Sequence, residues 1–345
     1  MNDIDRGITS TRDTMLGLVS GFHVSRALFV AARLGIADLL AKGPRPCDAL
    51  AKDTGADPPA LLRILRLLAA VGVVTVDGSC EVALTPLGET LRSDATRSLR
   101  GWVIGQLGEQ CYRAWGEILH SVRTGGIAFD RAFGTDVWSH RAANPEEARE
   151  FDEAMVSYVA ATNEAVIASG VFAASGIVVD VAGGEGALLL AILREYPKAL
   201  GVLFEQPHVA RRAELRVAAS ALAPRCRVLE GDALKGVPGG GDSYILSRVI
   251  HDWDDAGAAT ILVNCRRAMA PGARLLLVER ILPERIQAGL AAQLVTTSDV
   301  HMMAMNGGRE RTEGEYRALL EAAGFRFVRR HSTGSPVDVL ESEAW

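Results

Sequence analysis

Leu61, Leu62, Ile64, Leu65, Leu67 and Leu68 recur at helical spacing, while Arg63 and Arg66 fall on the other face, so the pattern predicts one amphipathic helix. Asp57-Pro58-Pro59 supplies its start signal, an acidic cap with prolines in the first turn, and Gly72 ends it. Two short β-rich runs follow, Val73 to Val76 and Glu81 to Leu84, around the turn signal Asp77-Gly78. From Phe22 to Thr85 the pattern is thus helical and compact, closed by a hairpin: a winged-helix arrangement. Such a unit suits DNA binding or dimerisation through its helices, and fold alone does not decide between them.

Residues from Leu99 to Ser169 read as mainly helical, with Trp102, Tyr112, Trp115, Phe129, Phe133, Trp138 and Phe151 scattered through them, most of them as core packing. After Gly176 the texture changes. Apolar strands alternate with helical stretches: Ile177 to Val181, Gly201 to Phe204, Arg227 to Leu229, Ser243 to Ser247 and Arg274 to Glu279. This alternation predicts a Rossmann-like α/β domain, a doubly wound parallel sheet covered by helices on both faces. The expected layout is a winged-helix-like domain over 1–100, a helical connecting region over 101–170 and the α/β domain over 171–345, with no internal repeat or low-complexity segment.

Composition narrows the function classes. The chain has 345 residues, of which 48% are hydrophobic and 23% charged, enough for two globular domains. A formal net charge of -5 offers no broad basic field for a phosphate backbone, so sequence-independent nucleic-acid binding by charge alone is not expected. Cys47, Cys80, Cys111, Cys226 and Cys265 are odd in number and far apart, with no CxxC pair, which suggests neither a disulfide framework nor a zinc site. The polar opening over residues 1–7 lacks a signal-peptide core, and no uncharged apolar run approaches ~20 residues, so a cytoplasmic protein without a membrane span is expected.

Candidate chemistry begins at Val178-Val179-Asp180-Val181-Ala182-Gly183-Gly184-Glu185-Gly186, a strand running into a glycine-rich turn. Gly183, Gly184 and Gly186 let the backbone approach a ligand at the carboxyl end of the first strand. A dinucleotide, adenosylmethionine or a plain tight turn all fit this signal alone. Further on, Glu205 ends the second strand, where a carboxylate can accept from both ribose hydroxyls, and Asp232-Ala233 follows the third, where Asp232 can accept from an adenine amino group. A redox dinucleotide would use the first two features; the third favours adenosylmethionine.

The stretch from Ser243 to Asp255 ends an apolar strand in a polar turn, Ser247-Arg248-Val249-Ile250-His251-Asp252-Trp253-Asp254-Asp255. His251 is a candidate base, or a satisfied structural residue. Asp254 or Asp255 suits the cap of the following helix. Metal ligation by the acids is a further option, but no second His or Cys sits at ligand spacing, and no metal is expected.

These residues, together with Phe204-Glu205-Gln206-Pro207-His208-Val209, the Gly231-Asp232 pair, Glu279 in Val278-Glu279-Arg280 and Gly307-Gly308-Arg309-Glu310-Arg311-Thr312, resemble the O-methyltransferases typified by plant caffeate and isoflavone enzymes and their bacterial natural-product relatives. The resemblance spans nearly the whole chain. It implies a winged-helix dimerisation domain in a homodimer, which displaces the DNA-binding reading, and an S-adenosyl-L-methionine cofactor converted to S-adenosyl-L-homocysteine. His251 matches the general base, Glu279 and Glu310 the flanking acids, and Glu205 and Asp232 the cofactor's ribose and adenine acids. Met155, Asp252 and the stretch from Asp299 to Asn306, with Met302 and Met303, fall where that family lines its pocket for a small, aromatic hydroxyl-bearing substrate. Three departures stand out: Ala182 replaces the first glycine of the usual triplet, Glu205 stands where many relatives carry Asp, and Ser247 replaces a lysine near the cofactor, a duty that Ser247 and Arg248 can share. Two rivals are a relative that keeps adenosylmethionine but hydroxylates, decarboxylates or performs a pericyclic reaction, and a winged-helix regulator with a ligand-sensing α/β domain. Retention of His251 with both glutamates argues against the first, and the acidic balance against the second.

Overall fold

A computed structural model describes residues 10–173 and 176–345, with the side chains of all of these except 156 and 157. The polar opening read over residues 1–7 lies outside the described residues. The chain forms two compact units, one ending at Glu109 and including Glu153–Tyr158, the other comprising Gln110–Asp152 and Val159–Trp345. The helical region expected over 101–170 is therefore shared between them.

The amino-terminal unit opens with α1 (Thr11–Arg33), capped by the Ser10 hydroxyl, which accepts from Asp13 N. The predicted amphipathic helix is α2 (Pro58–Ala70); the Asp57 carboxylate caps it by accepting from Ala60 N, and Leu61, Leu65 and Leu68 are its buried positions. They pack with Ala27, Ala31, Leu50 and Val82 into one core. Strands Val74–Val76 and Glu81–Leu84 pair antiparallel as expected, and Arg45–Pro46 adds a third strand beside Glu81–Leu84. The turn is longer than Asp77-Gly78: Asp77 Oδ1 accepts from both Ser79 N and Glu81 N, and Cys80 takes a positive φ of 61°. Arg26 breaks α1 as an uncharged run, yet by length and composition α1 is long and apolar enough to cross a membrane, with 17% of its most apolar stretch buried.

In the second unit, α3 (Val137–Ala143) and α4 (Pro145–Ala168, whose middle belongs to the first unit) precede a seven-stranded sheet. Its strands are β1 (Ile177–Val181), β2 (Leu200–Glu205), β3 (Cys226–Glu230), β4 (Ser243–Ser247), β5 (Arg274–Glu279), β6 (Phe325–His331) and β7 (Asp338–Ala344). In space they run β6-β7-β5-β4-β1-β2-β3. The five strands from β1 to β5 are parallel, as predicted; β7 runs antiparallel to both β5 and β6. Burial on both faces explains the continuous apolar runs. Val179, Val181, Tyr244, Leu246, Leu275 and Leu277 enter one core, and Val178, Ile245, Leu276 and Val278 alternate into the other. The helices α5 (Ala187–Glu195), α6 (Asp255–Ala268), α7 (Leu290–Met305) and α8 (Glu313–Ala322) follow in chain order. Leu188, Leu189 and Ile192 of α5 belong to the second core, and Ile261 and Leu262 of α6 and Leu320 of α8 to the first.

The sheet's carboxyl edge carries two left-handed residues that are not glycine, Ala182 after β1 (φ 55°) and Arg248 after β4 (φ 56°). The left-handed region costs an L-residue roughly 1–2 kcal/mol. Glycine's larger unfolded-state entropy takes back roughly 0.4–1 kcal/mol of that. Ala182→Gly is therefore expected to stabilise the protein by about 0.5–1 kcal/mol in urea denaturation; a loss of stability would show that the methyl group packs usefully.

Candidate active site

Three strand ends meet at a cleft lined by Ala182, Phe204, Glu205, Gly231, Asp232 and Trp253, among others. The glycine turn is required by its neighbours: a Cβ on Gly183 would lie 2.4 Å from Asp180 Cγ, and one on Gly231 2.3 Å from the Phe204 ring. Gly184, at φ 59°, faces open space instead. Glu205 ties the turn to the end of β2, its Oε2 accepting from Gly184 N at 3.0 Å and its Oε1 from Gln206 N at 2.8 Å. Each oxygen keeps a second lone pair. Burial raises the Glu205 pKa, against the pull of those two backbone N–H groups. Asp232 Oδ1 accepts from Leu234 N, and Oδ2 lies 3.2 Å from Lys235 Nζ. A fixed carboxylate at the second strand end, an acid at the third and a turn open to close backbone approach suit the adenosine half of S-adenosylmethionine.

The lysine replacement resolves into two different environments. Arg248 Nη1 donates to Thr162 Oγ1 at 3.1 Å and Nη2 to Asn163 Oδ1 at 3.2 Å, while Ser247 Oγ is buried without a hydrogen-bond partner among the described residues. Asp180, overlooked by the sequence reading, is buried beneath Gly183 with neither oxygen hydrogen-bonded among the described residues. Burial and the Glu205 charge push it up to about 7.

His251 sits in a single 3-10 turn, Ile250–Asp252, between β4 and α6. Its Nδ1 lies 3.1 Å from Glu310 Oε1 and 3.7 Å from Glu279 Oε2, and both glutamates are fully buried. Glu310 is thus the hydrogen-bonded partner. Glu279 spends Oε1 on Val249 N at 3.1 Å and Ile250 N at 2.9 Å, which pins the turn to the end of β5. Burial opposes the charged imidazole, but Glu279, Glu310 and the hydrogen bond to Glu310 outweigh it and lift the His251 pKa to about 10. Burial likewise pushes Glu279 up to about 7, while for Glu310 the charge and hydrogen bond of His251 prevail over burial and lower it. With Nδ1 committed to Glu310, Nε2 is the remaining ring nitrogen, 3.7 Å from Asp252 Oδ1.

The remaining predicted residues divide by contact. Asn306 Nδ2 donates to Asp252 Oδ1 at 2.9 Å, and Met302 Sδ lies 3.9 Å from the same nitrogen; Met303 is half-buried next to it in α7. Asp299 accepts from Glu310 N at 2.9 Å and so helps place that glutamate. Ser298 Oγ, which no sequence signal marked, donates to Glu310 Oε1 at 2.6 Å. Met155 is half-buried in the first unit. Asp254 is the helix cap, accepting from Gly257 N, whereas Asp255 pairs with Arg311. Ligand atoms of His251, Glu279 and Glu310 lie within 4.8 Å of one another, so the cluster could also hold a metal ion.

Residues 115–326 match the O-methyltransferase domain, and residues 16–94, including most of α1, match the O-methyltransferase dimerisation domain. The chain belongs to the O-methyltransferase family. It is 41% identical to a phenazine O-methyltransferase of Lysobacter antibioticus over 97% of each chain, and 41% identical to a 3-amino-4-hydroxybenzoate 4-O-methyltransferase of Streptomyces cremeus over 90% of this chain and 84% of that one. A solved O-methyltransferase from neocarzinostatin biosynthesis, in complex with S-adenosylmethionine and 2-hydroxy-5-methyl naphthoic acid, superposes with a TM-score of 0.80 at 33% identity, covering 93% of this chain and 96% of that one. This chain is accordingly an enzyme, an S-adenosylmethionine-dependent O-methyltransferase with a Rossmann-like fold.

In this methyltransferase the His251 turn is clamped from behind by Arg311, whose side chain is 1% exposed. Arg311 donates to Ile250 O at 3.0 Å and Trp253 O at 2.9 Å, the carbonyls on either side of His251, and to Asp255 Oδ1. Gly308 completes the clamp, since a Cβ there would lie 2.1 Å from His251 O. Arg311→Met leaves Trp253 O without a donor among the described residues and Ile250 O with the Trp253 N–H alone at 3.3 Å, so with one orphaned carbonyl urea denaturation should show a loss of roughly 1–3 kcal/mol. A loss below about 1 kcal/mol would mean that other donors replace the guanidinium.

Proposed function

We propose that this enzyme methylates a hydroxyl group of a small aromatic, natural-product-type molecule, with His251 as general base, Glu310 as the residue that orients it and Glu279 as a second buried acid. The observation that carries the reading is the His251 to Glu310 contact beside the cleft that Trp253 and Val249, flanking His251 in sequence, help to line. A phenol has a pKa near ~10, and His251 is lifted to about 10. Raising the His251 pKa towards that of a phenol makes the internal proton transfer less uphill and so favours the nucleophilic anion. When bound, S-adenosylmethionine supplies an electrophilic methyl group and leaves as S-adenosylhomocysteine. Glu205 and the Gly183 to Gly186 turn hold its ribose side, Asp232 and Ala233 its adenine side, and Ser247 and Arg248 border it. The pocket takes in Asp252, Asp299, Met302, Met303 and Asn306, and the methionines give it an adaptable apolar wall. The proton on Nδ1 occupies the place a cation would take between the glutamates, so no metal enters the reaction.

The amino-terminal unit supports a homodimer. Met15, Leu18, Val19 and Phe22 recur at i, i+3, i+4 and i+7 along α1 and are 52–66% exposed, a stripe better suited to a second copy than to water. On this reading the helix is an interface and not a membrane span, and the enzyme works in the cytoplasm. Within the chain, 1–100 serves dimerisation and 171–345 cofactor binding on this reading.

Replacing His251 by Ala should lower turnover by ~100-fold or more with cofactor affinity little changed, and activity should survive excess EDTA. Near wild-type turnover would remove His251 from the chemistry, and chelator-sensitive activity would make the cluster a metal centre. Because neutral His251 accumulates only as pH climbs from 6.5 towards 10, wild-type kcat/KM should rise through that interval. Glu310→Gln removes a negative charge and should move the rise to lower pH. In sedimentation, a Leu18→Glu, Phe22→Glu double variant should run at the 36.8 kDa of one chain, where the wild type runs at twice that mass; a wild-type monomer would refute the dimer.

A further inference from the structure

Glu310 is fully buried, and its Oε2 has no hydrogen-bond partner among the described residues. Its charge is held at Oε1, which faces His251 Nδ1 at 3.1 Å and accepts from Ser298 Oγ at 2.6 Å. The shorter contact has the length of a charge-assisted O–H···O⁻ bond, roughly 2.5–2.7 Å. Ser298 lies in α7, and a serine hydroxyl within a helix often turns back to the carbonyl one turn earlier. Thr296 of the same helix does so, donating to Ala292 O at 2.8 Å. The Ser298 hydroxyl crosses to Glu310 instead, and the next residue, Asp299, accepts from Glu310 N at 2.9 Å. Two consecutive residues of α7 thus grip the glutamate by its side chain and by its backbone.

Two effects of that hydroxyl on His251 oppose each other. It competes with Nδ1–H for one oxygen, which weakens the contact, and it keeps a buried carboxylate ionised, which strengthens it. The second is larger. A carboxylate oxygen has lone pairs for two donors, so the competition is slight. A buried carboxylate short of donors takes up a proton or turns away, and either change removes negative charge from beside the imidazole. Burial drives Glu310 towards its neutral form; the charge and hydrogen bond of His251, together with the Ser298 hydrogen bond, reverse that.

We propose that Ser298 is a positioning residue for His251: its hydroxyl keeps Glu310 ionised and turned towards Nδ1, and so sets the strength of the base. For turnover this rests on the reading of His251 as general base given above. The other charged and titratable groups around the pair are Asp252, Glu279, Arg280, Asp299, His301, Arg311 and Tyr316. Replacing Ser298 leaves all of them in the chain, so a change in His251 reports the lost hydroxyl.

The test follows the ring nitrogens of His251 by NMR as pH is varied, in full-length protein made with isotopically labelled histidine and saturated with S-adenosylhomocysteine. The His251 signals are those lost in His251→Ala. Ser298→Ala should weaken the hold of His251 on its proton roughly 3- to 10-fold, which moves the midpoint to lower pH. Ser298→Thr, which keeps the donor, should titrate like the wild type, and its isostere Ser298→Val like Ser298→Ala. Glu310→Gln should lower the midpoint further, and adding Ser298→Ala to it should change nothing, since the hydroxyl acts through the carboxylate. A midpoint that Ser298→Ala leaves in place or raises, or an equal further fall on the Glu310→Gln background, would overturn the proposal. Should Ser298→Ala fail to fold, the Thr and Val pair decides, and equal midpoints in those two would overturn it as well. The measurement needs no turnover. Near wild-type turnover in His251→Ala would therefore sink the general-base reading and leave the midpoints as they are, whereas an unmoved midpoint beside His251-dependent turnover would sink the Ser298 proposal alone.

Discussion

Two glutamates with no solvent exposure face one nitrogen of a buried imidazole, and much of the catalytic half is arranged around that fact. An unpaired buried carboxylate is prohibitively costly, so the charges persist only with a cation and hydrogen-bond donors placed in advance. The donors come from two places, the His251 turn and α7. Val249 and Ile250 supply backbone N–H groups to Glu279, Ser298 a hydroxyl to Glu310, and Asp299 fixes the Glu310 backbone. Arg311 then holds the carbonyls on the far side of the same turn. The His251 turn therefore cannot move without exposing several buried polar groups at once.

Strain is concentrated at the same edge of the sheet. Ala182 and Arg248, both left-handed, follow β1 and β4, which are neighbours in the sheet. Each redirects the chain at a strand end: after Ala182 the backbone opens into the glycine turn, and after Arg248 it enters the His251 turn. The cost is tolerated because β1 and β4, buried on both faces, over-determine the positions from which these turns leave.

How much of this the sequence disclosed depended on whether a signal was local. The limits of β1, β4 and β5 could be read to the residue because each is an apolar run between polar breaks. β6 and β7 escaped notice: Arg326, Arg329 and Arg330 in one and Asp338, Glu341 and Glu343 in the other look like loop, yet they pair across the two strands. His251, Glu205 and Asp232 stood out because strand ends and glycine turns mark them. Ser298 and Arg311 did not, since Glu310 and Asp255 give them meaning only once distant segments meet. Asp299 shows the converse: its position was legible, but its contact with the Glu310 backbone was not.

The excess of acid around His251 also bears on which atom is methylated. An aromatic amine is nucleophilic while neutral and sheds its proton only after the methyl has moved, so a base of ordinary histidine strength near 6.5 is sufficient for it. A phenol must give up its proton before or during attack, against a pKa near ~10. Two buried glutamates at Nδ1 and Asp252 near Nε2 raise the proton affinity of His251 towards that value. Burying so much negative charge is costly, and it is explicable where the proton to be received is held as tightly as a phenol holds its own. On the proposed reading of His251 as the base, the electrostatics of the cluster therefore favour an oxygen acceptor.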